Sequence, residues 1–282
     1  MKYNHLAFVA IVIFSIGIFA CGEQGASETS SEAASSMKDF GDDTAFQQKH
    51  ELPQEIDFEE KGAMQKMAIE GQDSAQYYFV SAKSPKATLL VFHEWWGLND
   101  HIKREAGRFA EGLGNVQVMA LDLYDGKVAD NRSDANTYMQ SASDERIRSI
   151  IKAALQQIPE DHKVGTIGWC FGGGWSLKAA IQGGSQVDGC VMYYGMPVQD
   201  SSALSPLAAP VLGHFAEQDG WITPQVMQDF ESLAGALDKS VTTYAYDADH
   251  AFANPSGERY EEKAAQKANQ RSLAFLVDHL LN

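Results

Sequence analysis

The chain has 282 residues, 44% of them hydrophobic, and a formal net charge of -16. That length supports one sizeable core, or at most two small ones. A charge so negative repels phosphate and argues against nucleic acid as a partner, although part of the excess is local: residues 22–60 carry eleven acids against Lys38 and Lys49.

The N-terminus reads as a targeting segment. Lys2 precedes an apolar run from Leu6 to Ala20, interrupted only by Ser15 and Gly17. Such a run has the length of a signal-peptide core and is short for a membrane span. It closes on Ile18-Phe19-Ala20-Cys21-Gly22, which resembles the lipobox of bacterial lipoproteins. The resemblance implies a signal peptide over 1–20, a lipidated Cys21, and an exported protein anchored on the periplasmic side of a bacterial envelope. The plainer alternative is a secretory signal followed by a chance cysteine. Residues 21–50 are rich in Ser, Ala, Glu, Gly and Asp, and predict a disordered tether. Residues 51–282 are then one folded domain.

Strands and helices alternate from about residue 75. Gln76–Ser81 and Ala87–His93 are predicted strands around the turn Lys83-Ser84-Pro85-Lys86. Asn99–Leu113 is a predicted helix, with Ile102, Ala106, Phe109, Ala110 and Leu113 spaced for one face. Val116–Asp122 is a strand. Asp144–Ile158 is a helix, Val164–Gly168 a strand, and Phe171–Gln182 a helix. Val187–Tyr194, Val211–Phe215 and Val241–Tyr246 read as strands, and Pro224–Leu237 and Glu258–Leu281 as helices. This alternation predicts an α/β fold with a mostly parallel sheet covered on both faces.

Gly168-Trp169-Cys170-Phe171-Gly172 falls between a predicted strand and a predicted helix. It fits the nucleophile elbow G-x-S-x-G with sulfur in place of oxygen. The turn must be sharp to lift Cys170 above the sheet edge, and positions 168 and 172 must lack a Cβ for strand and helix to pass. The Phe171 amide, at the helix N-terminus, would face a developing oxyanion, and the helix dipole would favour thiolate. The stretch lacks the Lys-Ser/Thr of a phosphate loop.

A nucleophile needs a base and the base an orienter. Asp219 follows the strand ending near Phe215, and His250 follows the strand ending near Tyr246, in the order nucleophile, acid, histidine. Both sit at carboxyl ends of strands, where sites collect in open α/β sheets. Asp247 and Asp249 are competing acids, and His214, inside a strand, is a weaker base candidate. His93-Glu94-Trp95-Trp96-Gly97 fails the zinc pattern H-E-x-x-H, because Gly stands at 97. The same loop can supply a second oxyanion amide from Trp95. Glu94, beside two bulky aromatics, would resist ionisation and exchange a proton with Cys170. Trp96 would wall a pocket. Cys190 sits inside a strand, misaligned for a bridge to Cys170, and reads as a small buried hydrophobe.

Taken together, His93–Asn99, Ala120–Tyr124, Gly168–Gly173, Ala216–Asp219 and Asp249–Phe252 resemble the dienelactone hydrolase family from about residue 75 to the C-terminus. The resemblance implies an α/β-hydrolase fold with a triad at Cys170, His250 and Asp219, and a thiol-activating glutamate at Glu94. It implies hydrolysis of a small ester or lactone through a cysteinyl thioester, with Trp96, Tyr124 and Lys127 at the substrate pocket and no metal or organic cofactor. Two departures stand out. The family's carboxylate-binding arginines are replaced by the stretch Asp125-Gly126-Lys127 and by Asn254, and Lys127 offers a point charge rather than a fork. The alternatives are a lipoprotein that keeps the fold and binds a ligand without turnover, or a redox-reactive thiol.

Overall fold

The computed structural model describes Met1 and residues 35–282. The signal peptide, Cys21 and the first part of the tether lie outside the described residues. Among those described, no helix is long and apolar enough to cross a membrane.

The tether expectation reaches too far. A 3-10 turn over Met37–Phe40 is closed by a reciprocal Ser36–Asp39 capping box. A short helix follows, α1 (Thr44–Lys49), whose cap Asp43 accepts from the amides of Ala45 at 2.8 Å and Phe46 at 3.3 Å. Met37 and Phe46 are buried. The stretch is too polar to fold alone, but two local caps and two apolar anchors order it against an existing surface. Residues 36–51 form an arm on the domain.

One sheet of eight strands carries the domain. The strands are β1 (Ala63–Ile69), β2 (Gln72–Val80), β3 (Ala87–Phe92), β4 (Val116–Leu121), β5 (Lys163–Trp169), β6 (Gly189–Tyr193), β7 (Val211–Ala216) and β8 (Val241–Tyr246), in the order β1-β2-β4-β3-β5-β6-β7-β8. β2 runs antiparallel to β1 and β4, and the other pairings are parallel. Every residue of β3, β6 and β7 is buried, as expected for parallel strands covered on both faces. β1 escapes the sequence reading because its first four residues are exposed and its apolar pattern is weak. It joins β2 through the two-residue turn Glu70-Gly71, where Gly71 takes φ 70°.

The helices are α2 (Asp100–Leu113), α3 (Arg132–Ser141), α4 (Asp144–Gln157), α5 (Phe171–Gly183), α6 (Ser201–Leu204), α7 (Pro224–Ala236) and α8 (Glu262–Leu281). Asn99 caps α2 by accepting from the Ile102 amide at 3.2 Å, and Ser143 caps α4 by accepting from Arg146 at 3.3 Å. α3 was not predicted, since it buries only Ala135 and Met139 and so lacks an apolar stripe. α8 begins four residues later than expected, because the Glu261 carboxylate accepts from the Ala264 amide at 2.6 Å and starts the helix there. The carboxyl ends of β3, β5, β7 and β8 lead into the segments bearing Glu94, Cys170, Asp219 and His250.

Candidate active site

Cys170 stands between the last residue of β5 and the first of α5, with φ 54° and ψ -118°. That left-handed backbone is strained for a residue with a side chain, and flanking contacts hold it. Its amide donates to the Tyr193 carbonyl at 3.0 Å, and its own carbonyl accepts from Gly173 at 3.0 Å. A Cβ on Gly168 would strike the backbone oxygen of Gly172, and one on Gly172 would strike the carbonyls of Phe92 and His93. Strand and helix therefore cross with no room for side chains at either position.

The base and its orienter complete a chain of contacts. His250 Nδ1 donates to Asp219 Oδ2 at 2.6 Å, and His250 Nε2 lies 3.3 Å from Cys170 Sγ. With its proton on Nδ1, the ring presents a lone pair to the thiol. Both side chains of the pair are shut off from solvent. Asp219 Oδ1 also accepts from the amides of Trp221 at 2.9 Å and Ile222 at 3.0 Å. Burial works to raise the Asp219 carboxyl, but the charge and hydrogen bond of His250 and those two amides hold it below its ordinary range. The competing acids are engaged elsewhere: Asp247 accepts from Gln218, and Asp249 from the His250 amide and Lys49. His214 is a packed residue between Tyr246 and Ser272. Cys170 and Cys190 are both free and buried.

Burial pushes the Cys170 thiol well up, and the neighbouring Glu94 pushes it further. The Phe171 amide bonds the sulfur and pulls the other way, with less effect. The helix terminus does favour thiolate, as expected, but desolvation outweighs it and favours the protonated sulfur. Glu94 is itself pushed up to about 7 by burial, against hydrogen bonds from Tyr194 Oη at 3.4 Å and Asn254 Nδ2 at 2.6 Å. Asn254 thus serves to hold Glu94.

A cavity of about 20 Å³, the room of one water, opens onto Cys170. Glu94, Trp95 and Trp96 line it, as do His50 and Arg259. Tyr124 and Lys127 are not among the residues lining this small cavity. Tyr124 packs its buried ring on His93 and Phe171, whereas Lys127 places its ammonium 5.4 Å over the ring of Tyr138, on the unpredicted α3. His50 and Arg259 were missed by sequence reasoning. His50 lay in the supposed tether, and Arg259 in the supposed first turn of the last helix. Arg259 Nη2 donates to the Lys49 carbonyl at 2.7 Å, and its buried Nη1 has no partner among the described residues.

Phe46 fastens the arm over this site. It is buried among the rings of Trp95, Trp221, His50 and His250. Around it, Lys49 pairs with Asp249 at 2.7 Å, Trp221 Nε1 donates to Asp43 at 2.9 Å, and Arg132 donates to the His50 carbonyl at 2.7 Å.

The sequence pattern of the dienelactone hydrolase family matches residues 75–280. The carboxymethylenebutenolidase of Pseudomonas putida is 28% identical over 210 residues, covering 70% of this chain and 87% of that protein. Protein usf of Aquifex pyrophilus is 30% identical over 217 residues, covering 72% and 93%. In structure, the dienelactone hydrolase of Anabaena variabilis superposes with a TM-score of 0.58 at 19% identity, over 82% of this chain and all of that one. The family pattern spans the nucleophile turn, the acid, the histidine and the loop of Glu94. The chain belongs to the dienelactone hydrolase family, and is accordingly a hydrolase of carboxylic esters.

Proposed function

We propose that Cys170 cleaves a small ester or lactone through a thioester, with His250 moving the protons and Asp219 fixing the ring. The observation that carries this reading is the unbroken contact from Asp219 through His250 to Cys170. His250 Nε2 takes the thiol proton as sulfur attacks the carbonyl carbon. The oxyanion is held by the amides of Phe171 and Trp95. The carbon–oxygen bond then breaks, and the leaving oxygen takes the proton from His250. Water, deprotonated by the same ring, attacks the thioester and returns the thiol with a carboxylic acid. The neutral, buried sulfur waits for substrate, and Glu94 sits where it can share in that proton transfer. Arg259 supports an anionic substrate, since its side chain lines the cavity and one buried N–H of its guanidinium has no partner among the described residues.

The test is an ester and lactone panel on wild type and Cys170→Ala. Turnover should fall to the background rate in the variant, with a thioester adduct on Cys170 by mass spectrometry in the wild type. Equal turnover in the variant, or ligand binding without turnover across the panel, refutes the reading. We further propose export and lipid attachment at Cys21, on the strength of the apolar run that ends there. A labelled fatty acid should enter the wild-type chain and not Cys21→Ala, and an unlabelled wild type refutes it.

A further inference from the structure

His50 is a buried base for which ester hydrolysis has no task. Its Nδ1 donates to the Phe46 carbonyl at 2.7 Å, which leaves Nε2 as a lone pair. That atom is buried and has no hydrogen-bond partner among the described residues. Burial keeps the ring neutral, pushed down to about 3. Donor atoms of His50, Cys170 and His250 all lie within 4.8 Å of one another.

We propose that His50, Cys170 and His250 form a binding site for a borderline or soft cation, zinc above all, with two nitrogens and one sulfur as ligands. Binding would mask the nucleophile, so metal and acyl group compete for one sulfur. The binding stands independently of the hydrolytic reading, while the competition rests on it.

Four observations support the site. Imidazole and thiolate are the ligand types zinc selects, and three protein ligands with one open position is a common zinc arrangement. Metal-bound histidines almost always donate their other nitrogen to a carboxylate or a backbone carbonyl. Both do so here, His250 to Asp219 and His50 to Phe46. The spacing also fits: zinc–nitrogen bonds of about 2.0 Å and a zinc–sulfur bond of about 2.3 Å require ligand separations of roughly 3.3–3.6 Å. The sulfur and His250 Nε2 already stand 3.3 Å apart, and since all three ligand atoms lie within 4.8 Å of one another, the wider separations close by a shift of at most about 1.5 Å. Finally, the cavity beside the trio has the room of one water, enough for a fourth ligand. The charge of Arg259 at the same cavity opposes a cation, and the carboxylates of Asp219 and Glu94 offset it.

The chemistry balances without a redox partner. The thiol loses its proton to solvent, the sulfur–metal bond forms, and each neutral histidine gives a lone pair. His50 lies outside residues 75–280, so the third ligand comes from the arm and not from the family pattern.

The test uses the chain produced without a polyhistidine tag. Cobalt(II), which takes zinc's place and reports sulfur ligation by a thiolate charge-transfer band, is titrated by absorption, and zinc by calorimetry. One equivalent should bind with that band and release a proton. The band should vanish in Cys170→Ala, and His50→Gln should weaken zinc binding by ~100-fold or more, beyond the effect of losing an outer partner. X-ray absorption of the zinc-loaded wild type, which needs no variant to fold, should count two imidazoles and one sulfur. Stoichiometric zinc should abolish ester hydrolysis, and a chelator should restore it. A cobalt band in a chain that hydrolyses no ester supports the site and removes the hydrolytic reading alone. No band, a spectrum without sulfur, or full affinity in a folded His50→Gln overturns the proposal. Hydrolysis that persists at saturating zinc overturns the competition.

Discussion

Cys170 is pulled in two directions. The Phe171 amide favours a charged sulfur, while burial and Glu94 favour a neutral one and prevail. Glu94, pushed up to about 7, is largely ionised only above neutrality. Its negative charge raises the thiol, so removing it should lower the thiol. In Glu94→Gln the pH midpoint for alkylation of Cys170 by iodoacetamide should move down relative to wild type. A midpoint that stays or rises contradicts the assigned influence of Glu94. The positions of Cys170, Asp219 and His250 were legible in the sequence because each falls at a strand end in a fixed order. The charge state of the sulfur was not, because it depends on how thoroughly the arm and the Trp95 loop exclude water.

The arm shows a limit of composition as a guide. Residues 36–51 are polar on average, yet Phe46 meets five aromatic rings, Phe40 included, and is fully buried. Truncating such a side chain costs about 3–5 kcal/mol when the whole fold bears the loss. Here the arm can undock before the sheet melts, so the loss should be local. Phe46→Ala should make the arm sensitive to limited proteolysis while the main unfolding transition stays close to wild type. Resistance equal to wild type would show that Phe46 does not hold the arm. The elements that were legible, β3 and α2 among them, have continuous apolar runs or a one-sided stripe. β1 and α3 have neither, and owe their regularity to the Gly71 turn, to the Asn131 cap and to tertiary contact.

Across the whole molecule the buried histidines set the response to acid. His50 and His214 are pushed down to about 3 and His93 to about 4, chiefly by burial. Unfolding frees them to take protons below about pH 6.5, so their contribution is present at neutrality and is lost as pH falls from there. Glu94 acts oppositely, since the folded chain protonates it near 7 and the unfolded chain near 4.5. Four buried histidines, His101 among them, outnumber the one glutamate, so the unfolded chain binds more protons and stability falls as pH drops from about 6.5 towards 4.5. Chemical denaturation at pH 7 and pH 5 should show that loss, and equal stability at the two would refute the account. The fold class was legible because it follows from alternating elements. The roof over the site was not, because its residues precede the alternation.

That roof also bears on how long the enzyme lasts. A sulfur kept from charging by burial, beside His50 and under the arm that Phe46 fastens, is a poor target for peroxide, which attacks thiolates that it can reach. Ageing of the enzyme in an oxidising medium is therefore set by how often the arm lifts, and a chain trimmed to its family core would begin to tarnish at once.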